Sequence, residues 1–254
     1  TEWFGYFYDK NVPSHEHNIS VSGGTKALNY YVSGGFMNQR GLLKVADDHH
    51  NRFNLTAKVN AQITKWLDLN YSLRWTREEY ERPSYLSGLF FHNIVRRWPT
   101  NATHDPNGYI MPHNEGLQLM DGGRTSREDD YTNQQISLIA HPLKGLTVKA
   151  ENNYNTTTYF THSEVFPVYW HDKDGVPVAA KWDDWKQPGH SEVGEQAQKV
   201  NYFAGRYFAE YAREWGKHDF KVVAGLDLEV RKYRNLSGNK KDIITSEVPT
   251  LNTA

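Results

Sequence analysis

The sequence lacks cysteine, an excess of charge of either sign, and any long apolar run. Without cysteine the chain has no disulfide, no thiol nucleophile and no Cys-ligated zinc site. A membrane-spanning helix needs roughly 18 consecutive apolar residues, so a helical membrane protein is excluded. Lys and Arg number 29 against 30 Asp and Glu. Because a nucleic-acid binder needs clustered basic residues in excess, no nucleic-acid partner is expected.

Leucine and alanine are scarce, whereas Asn, Thr, Ser, Tyr and Gly abound, which favours strands and turns. Apolar and polar residues alternate with period two through residues 53–64 and again through 67–76, so each stretch predicts a strand with two different faces. Further stretches follow the same pattern and bring the predicted total to eight strands: residues 19–21, 28–36, 136–140, 146–155, 203–211 and 220–231.

The connections between these strands alternate between short and long. The short ones have hairpin lengths and lie at about residues 23–25, 64–66, 142–145 and 215–217. Long excursions at about residues 38–51, 78–131 and 157–197 separate the hairpins. The short and long connections therefore mark opposite ends of one antiparallel sheet.

A soluble sandwich and a membrane barrel both produce this alternation, because the apolar face is buried inside the first and meets lipid outside the second. Strands of ten or more residues match the roughly 9 to 11 that cross a bilayer. Short turns at one end and long loops at the other are typical of outer-membrane barrels. Aromatic residues near the predicted strand ends are typical of an interfacial girdle: Phe53, Trp75, Tyr154, Tyr211, Trp215 and Phe220. The sequence therefore predicts an all-β fold, with the antiparallel up-and-down strands of a transmembrane β-barrel.

Five segments resemble a known family. Residues 18–41 read NISVSGGTKALNYYVSGGFMNQRG, in which an SVSGG strand turns into an NYYVS strand that ends in NQRG. The segments RFNLTAKVN, KWLDLN, RWPT and DPNGY follow in order, at residues 52–60, 65–70, 97–100 and 105–109. Together they resemble the barrel signature of the SusC/RagA family of TonB-linked outer-membrane transporters. The match is close over residues 18–109 and extends by pattern to residue 251.

The resemblance implies that residues 1–254 are part of a 22-strand barrel, with extracellular loops at about 78–131 and 157–197. The family's plug domain and TonB box have no counterpart in this sequence. A TonB-dependent receptor of this kind lies in the bacterial outer membrane and imports oligosaccharides or, in some relatives, peptides. The implied partners are a SusD-like surface lipoprotein, the TonB complex acting through the missing plug, outer-membrane lipid and the oligosaccharide or peptide substrate.

The two faces of the strands receive different predicted roles from this resemblance. Residues predicted to face the lumen are polar or charged: Lys58, Asn60, Asn70, Arg74, Lys149, Glu151, Arg206, Glu210, Asp227 and Arg231. Residues predicted to face lipid are aliphatic: Leu55, Val59, Leu69, Leu73, Val148, Val222, Leu226 and Leu228. The long inward side chains would crowd the narrow interior of an eight-strand barrel, which favours the wider lumen of a larger one.

Aromatic residues in the two longest excursions are the candidate ligand contacts, because exposed rings suit sugars through apolar stacking. They are Trp98, Tyr109, Tyr169, Trp170, Trp182 and Trp185. Alternatively, these rings pack the loops into a rigid cap. A short amphipathic helix is predicted over residues 85–97, either packed on neighbouring loops or in contact with a lid protein.

No enzyme activity, catalytic residue, metal ligand or cofactor is predicted. Residues 105–108 and 172–175 contain the start of a calcium-loop pattern, but each lacks the third ligand and the distal Glu. Asx-turn chemistry with a positive-φ glycine accounts for both.

Two other classes of protein stay open at this point. One is a soluble all-β carbohydrate-binding module or glycosidase fragment, which would bury the apolar faces of residues 53–63 and 67–75 against a second sheet. The other is a small closed barrel acting as an anchor or adhesin, in which the first strand would pair with the eighth.

Overall fold

The computed structural model describes residues 1–183 and 186–252. Its main feature is one eight-stranded antiparallel sheet. The strands of this sheet are β1 (Ser14–Gly24), β2 (Leu28–Arg40), β3 (His49–Thr64), β4 (Leu67–Pro83), β5 (Arg124–Leu143), β6 (Leu146–Val165), β9 (Glu192–Trp215) and β10 (His218–Lys241). The predicted all-β fold and the eight predicted strands are confirmed.

Each strand of the sheet pairs with its neighbours in chain order, from β1 at one edge to β10 at the other. The tight turns between paired strands include two glycines with positive φ, Gly145 at 88° and Gly216 at 65°. A Cβ on Gly145 would lie 2.3 Å from the carbonyl oxygen of Ala212, so this turn needs glycine for its space as well as its dihedral angle. Within the described residues β1 and β10 do not pair, which contradicts the small closed barrel.

The strands run further than the alternation of the sequence predicts. The loops on the long-connection side occupy residues 41–48, 84–123 and 166–191, so they are shorter than the expected 38–51, 78–131 and 157–197. The reason is that polar residues predominate on both faces of the added segments, so period two is not visible there. Arg77 on β4, for example, pairs with Asp130 on β5 at 2.7 Å between Nη2 and Oδ2. Trp75 and Tyr154 consequently lie within their strands and not at the ends.

Short elements occupy the N-terminus and the long loops. They are α1 (Trp3–Phe7), α2 (Gly88–Arg96), α3 (Gly116–Asp121) and the two-stranded sheet of β7 (Tyr169–His171) and β8 (Pro177–Ala179). The helix predicted over residues 85–97 is confirmed as α2. No helix in the described residues is long and apolar enough to cross a membrane.

The largest buried cluster joins the loops and not the sheet. We call the N-terminal segment together with loops 41–48, 84–123 and 166–183 the cap. Its core consists of Trp3, Phe7, Leu43, Tyr85, Phe90, Ile94, Leu119, Val168 and Trp182. Because these residues come from four distant segments, their contacts fix the loops relative to one another.

Among the residues that the structure describes, none forms such a cover over the apolar face of the sheet. Leu55 is 39% exposed and Ile63 is 54% exposed. The only other sheet in residues 1–183 and 186–252 is the two-stranded one in the cap. This arrangement contradicts the sandwich, which would bury the face against a second sheet.

Candidate functional site

Two rows of directly paired residues cross the sheet at adjacent positions and on opposite faces. The polar row consists of Asn29, Asn60, Asn70, Ser137, Glu151, Arg206 and Asp227. The apolar row consists of Leu28, Ala61, Leu69, Leu138, Ala150, Tyr207 and Leu226. Directly paired residues of antiparallel strands share a face, so seven strands contribute to one polar stripe and one apolar stripe.

The strand register places the residues predicted to face the lumen and those predicted to face lipid on opposite faces of the sheet. The ten residues predicted to face a lumen lie on the face of the polar row, and the eight predicted to face lipid lie on the face of the apolar row. Their contact with water or lipid stays a prediction. Several of the charged ones neutralise each other: Lys149 lies 2.7 Å from Glu151, and Arg206 lies 2.9 Å from Asp227.

A cavity of about 230 Å³ lies on the polar face. It brings together five of the predicted lumen residues, Lys58, Asn60, Asn70, Lys149 and Glu151. Its walls carry hydrogen-bond donors and acceptors, and they include both positively and negatively charged side chains. The polar face is therefore a surface that can hydrogen-bond to a polar solute or to another polar protein surface.

The loop aromatics have different environments. Trp182 is buried in the cap core, where its Nε1 donates to the carbonyl oxygen of Gly122 at 2.8 Å and its ring meets Tyr85 edge-on. This environment fits the packing interpretation. Tyr109 stacks on His171 with ring centroids 4.0 Å apart.

Trp98 is 72% exposed, while its carbonyl oxygen accepts a hydrogen bond from Trp3. Tyr169 and Trp170 lie on β7. Trp185 lies outside the described residues. Contact of these residues with a ligand stays a prediction.

Two loop turns have the predicted Asx chemistry. The Oδ1 atom of Asp105 accepts hydrogen bonds from the N–H groups of Asn107 and Tyr109, and Gly108 has a φ of 90°. Asp172 accepts in the same way from Asp174 and Val176. These carboxylates are thus engaged by their own backbone. Among the described residues no group of three or more His, Cys, Asp or Glu side chains could hold a metal ion.

A second cavity, which the sequence did not indicate, lies in the cap. This cap cavity has a volume of about 260 Å³ and is lined by Tyr85, Leu89, Asn93, Arg97, Pro112, His113, Asn114, Glu115, Gln118, Ala180, Lys181, Trp182 and Asp183. Arg97 donates from Nη2 to Oε1 of the buried Glu115. No motif links residues 97, 115 and 118, because only the folding of loop 84–123 brings them together.

Burial raises the pKa of the Asp48 carboxyl above its ordinary value, and the charge of Asp47 adds to this. The hydrogen bond from the N–H of Leu43, at 3.3 Å, opposes the rise, as do Arg40 and His49. The folded loop 41–48 consequently favours the protonated carboxyl.

This pKa shift predicts a pH-dependent loop. The stabilisation from protonated Asp48 is complete below the carboxyl's ordinary pKa and is lost as the pH rises through the raised value. We expect Asp48→Asn to remove this dependence and to protect the amides of residues 41–48 better at neutral pH. Hydrogen exchange of the variant and the unmodified full-length protein, compared at each pH, measures the effect. Identical pH profiles of the two proteins would contradict the assignment to Asp48.

Comparison with solved structures supports the architecture. The chain is similar to structures of the RagAB peptide importer in the closed-closed state (TM-score 0.73) and the open-open state (TM-score 0.74), and to a structure of the RagAB peptide transporter (TM-score 0.74). Each match has 19% sequence identity and covers 99% of this chain.

The chain spans 27–28% of the length of the chains that it matches. No protein-family model matches the sequence, and no curated protein matches it. At this identity the likeness shows the fold: an open antiparallel sheet that corresponds to part of an importer chain.

Proposed function

We propose that this chain forms part of the barrel of an outer-membrane nutrient importer. In this proposal the apolar face contacts lipid, the polar face lines a water-filled lumen, and the cap forms part of the extracellular mouth. The observation that carries the proposal is the pair of rows across seven strands. A barrel with a wet interior and a lipid exterior needs this separation on every strand.

The strand lengths support the same arrangement. A tilted strand crosses the hydrocarbon core with roughly 9–11 residues, whereas β9 and β10 each have 24. The apolar stripe ends before the strands do. The Arg77–Asp130 ion pair lies on the apolar face of the sheet, past the end of this stripe. We infer that the polar ends of the strands project from the membrane and carry the cap.

The partners and cargo belong to the proposal as well. The resemblance to the SusC/RagA family supports a SusD-like surface lipoprotein, which would close over the cap, and the TonB complex, which would act through a plug domain outside this chain. Similarity to a peptide importer favours peptides as cargo. Oligosaccharides are the alternative cargo, and the proposed role includes no catalysis.

Uptake by cells tests this function. We expect cells that make the full-length protein to accumulate labelled peptides. Cells without its gene should lose this uptake, because in the proposal this importer carries the peptides across the outer membrane. Inactivating TonB should abolish uptake in the first strain. A parallel assay with labelled oligosaccharides distinguishes the two cargo classes. Unchanged uptake of both classes in the deletion strain would contradict the proposed function.

A further inference from the structure

Three exposed basic side chains lie together on the apolar face of the sheet, on the side of the cap. On β10 an unbroken apolar series on this face runs from Phe220 to Val230, and the next two residues of the same face are Lys232 and Arg234. On β9, Lys199 is the direct partner of Arg234 and therefore shares its face. We call Lys199, Lys232 and Arg234 the basic patch.

Within residues 1–183 and 186–252 the positive charge of the basic patch is not neutralised. None of its three side chains takes part in an ion pair with these residues. Lys199 and Arg234 lie directly opposite each other on paired strands, where like charges destabilise the pairing. An anion bound between them would relieve this repulsion.

Two other cations on the same face, also past the end of the apolar stripe, have carboxylate partners. Arg77 pairs with Asp130 on the next strand at 2.7 Å. Arg124 pairs with Glu81 and lies 3.8 Å from a carboxylate oxygen of Asp47. Unpaired positive charge is therefore not a general property of the strand ends, and it distinguishes the basic patch from the rest of this face.

A cavity of about 450 Å³ lies at the basic patch and is lined by its three residues together with Asn201 and Tyr233. The Oδ1 atom of Asn201 accepts a hydrogen bond from the hydroxyl of Thr156 at 3.2 Å, so its NH₂ group adds a neutral donor to the charged ones. Ammonium and guanidinium groups bind phosphate oxygens through charge-assisted hydrogen bonds. The chemistry of this cavity therefore suits a phosphate group.

The position of the basic patch identifies the source of this phosphate. In the proposed barrel the apolar series that ends at Val230 contacts hydrocarbon, so the next residues of that face lie at the level of the lipid head groups. Anionic head groups attract clusters of Lys and Arg at this level. We propose that the basic patch binds the phosphate group of an anionic lipid in the outer leaflet of the membrane. This inference rests on the proposed function, because it assumes that the apolar face contacts lipid.

Photo-crosslinking beside the basic patch tests the site. Thr158 on β6 is the direct partner of Lys199, so Thr158→p-benzoylphenylalanine places a crosslinker next to the patch. The full-length protein is reconstituted in vesicles of equal parts phosphatidylglycerol, which is anionic, and phosphatidylcholine, which is zwitterionic, and mass spectrometry identifies the lipid adducts. We expect at least about a fivefold excess of phosphatidylglycerol adducts, the preference that one basic residue near an anionic lipid surface provides. The same crosslinker at Leu69, within the apolar stripe, should capture both lipids equally.

Charge removal at the patch should abolish this preference. We expect the adduct ratio at position 158 to fall to about one when the three cations are replaced together by Lys199→Gln, Lys232→Gln and Arg234→Gln. A matched control removes three cations from the polar face and should keep the excess: Lys58→Gln, Arg74→Gln and Arg231→Gln. Unchanged capture at position 69 in both variants shows that the barrel is still inserted.

The possible outcomes separate the site from the proposed function. Equal capture of the two lipids at position 158, or capture at position 69 only, would overturn the lipid site alone. Replacing chloride by inorganic phosphate at constant ionic strength should keep the excess, and its loss would mean that a soluble anion and not a lipid occupies the patch. Absence of lipid adducts at both positions would overturn the proposed membrane barrel together with the site.

Discussion

Replacing Leu69 by arginine in the full-length protein is expected to lower its free energy of unfolding from a bilayer by about 2–4 kcal/mol. Leu69 belongs to the apolar row on β4, a strand that is paired on both sides. In the proposed barrel its side chain contacts lipid, where a guanidinium group loses its hydration without gaining a partner. Urea-induced unfolding of the protein in lipid vesicles, followed by tryptophan fluorescence, measures the change.

The adjacent residue provides the control. Asn70→Arg introduces the same side chain on the same strand but in the polar row, where Glu151 lines the same cavity. We expect a change within about 0.5 kcal/mol, as for an ordinary surface substitution. Similar losses in the two variants would mean that both faces are buried against protein, and a neutral Leu69→Arg would mean that the apolar face meets water.

The contrast between these two neighbours was predictable because a strand places successive side chains on opposite faces. Residues 53–64 and 67–76 alternate strictly, and their faces and pairing follow from that pattern together with the hairpin turns. The positions of the strand ends could not be predicted from the alternation. Arg77 and Asp130 lie on the same face as Leu69, yet both are charged, because that part of the sheet lies beyond the apolar stripe. Alternation marks only the part of a strand whose faces meet two different environments.

The cap could not be derived in this way, because its contacts join segments that are far apart in the sequence. Trp3 and Phe7 have no periodic neighbours, and their burial depends on α2 and the later loops. Trp182 was a candidate ligand contact from its residue type and its place in a long excursion, and only the structure distinguishes its buried ring from the exposed ring of Trp98. The cap cavity likewise depends on the path of loop 84–123, which no local signal specifies.

The core of the cap predicts a second large effect. Phe90 on α2 has no exposed surface, and its ring meets Phe7 edge-on at 5.3 Å and Tyr85 at 6.3 Å. Phe90→Ala should therefore cost about 3–5 kcal/mol, from lost burial and the cavity that remains. The hydrogen-bonded ladder of the sheet is untouched, so we expect the loss to be local. Hydrogen exchange within residues 84–123 should accelerate at least about a hundredfold at 3 kcal/mol, while exchange within β4 and β5 stays slow.

Phe91→Ala isolates the contribution of burial. It makes the same change one position along α2, where the ring is 49% exposed, so helix propensity changes equally in the two variants. We expect Phe91→Ala to accelerate exchange far less than Phe90→Ala, and equal effects would contradict a cap held by its apolar core.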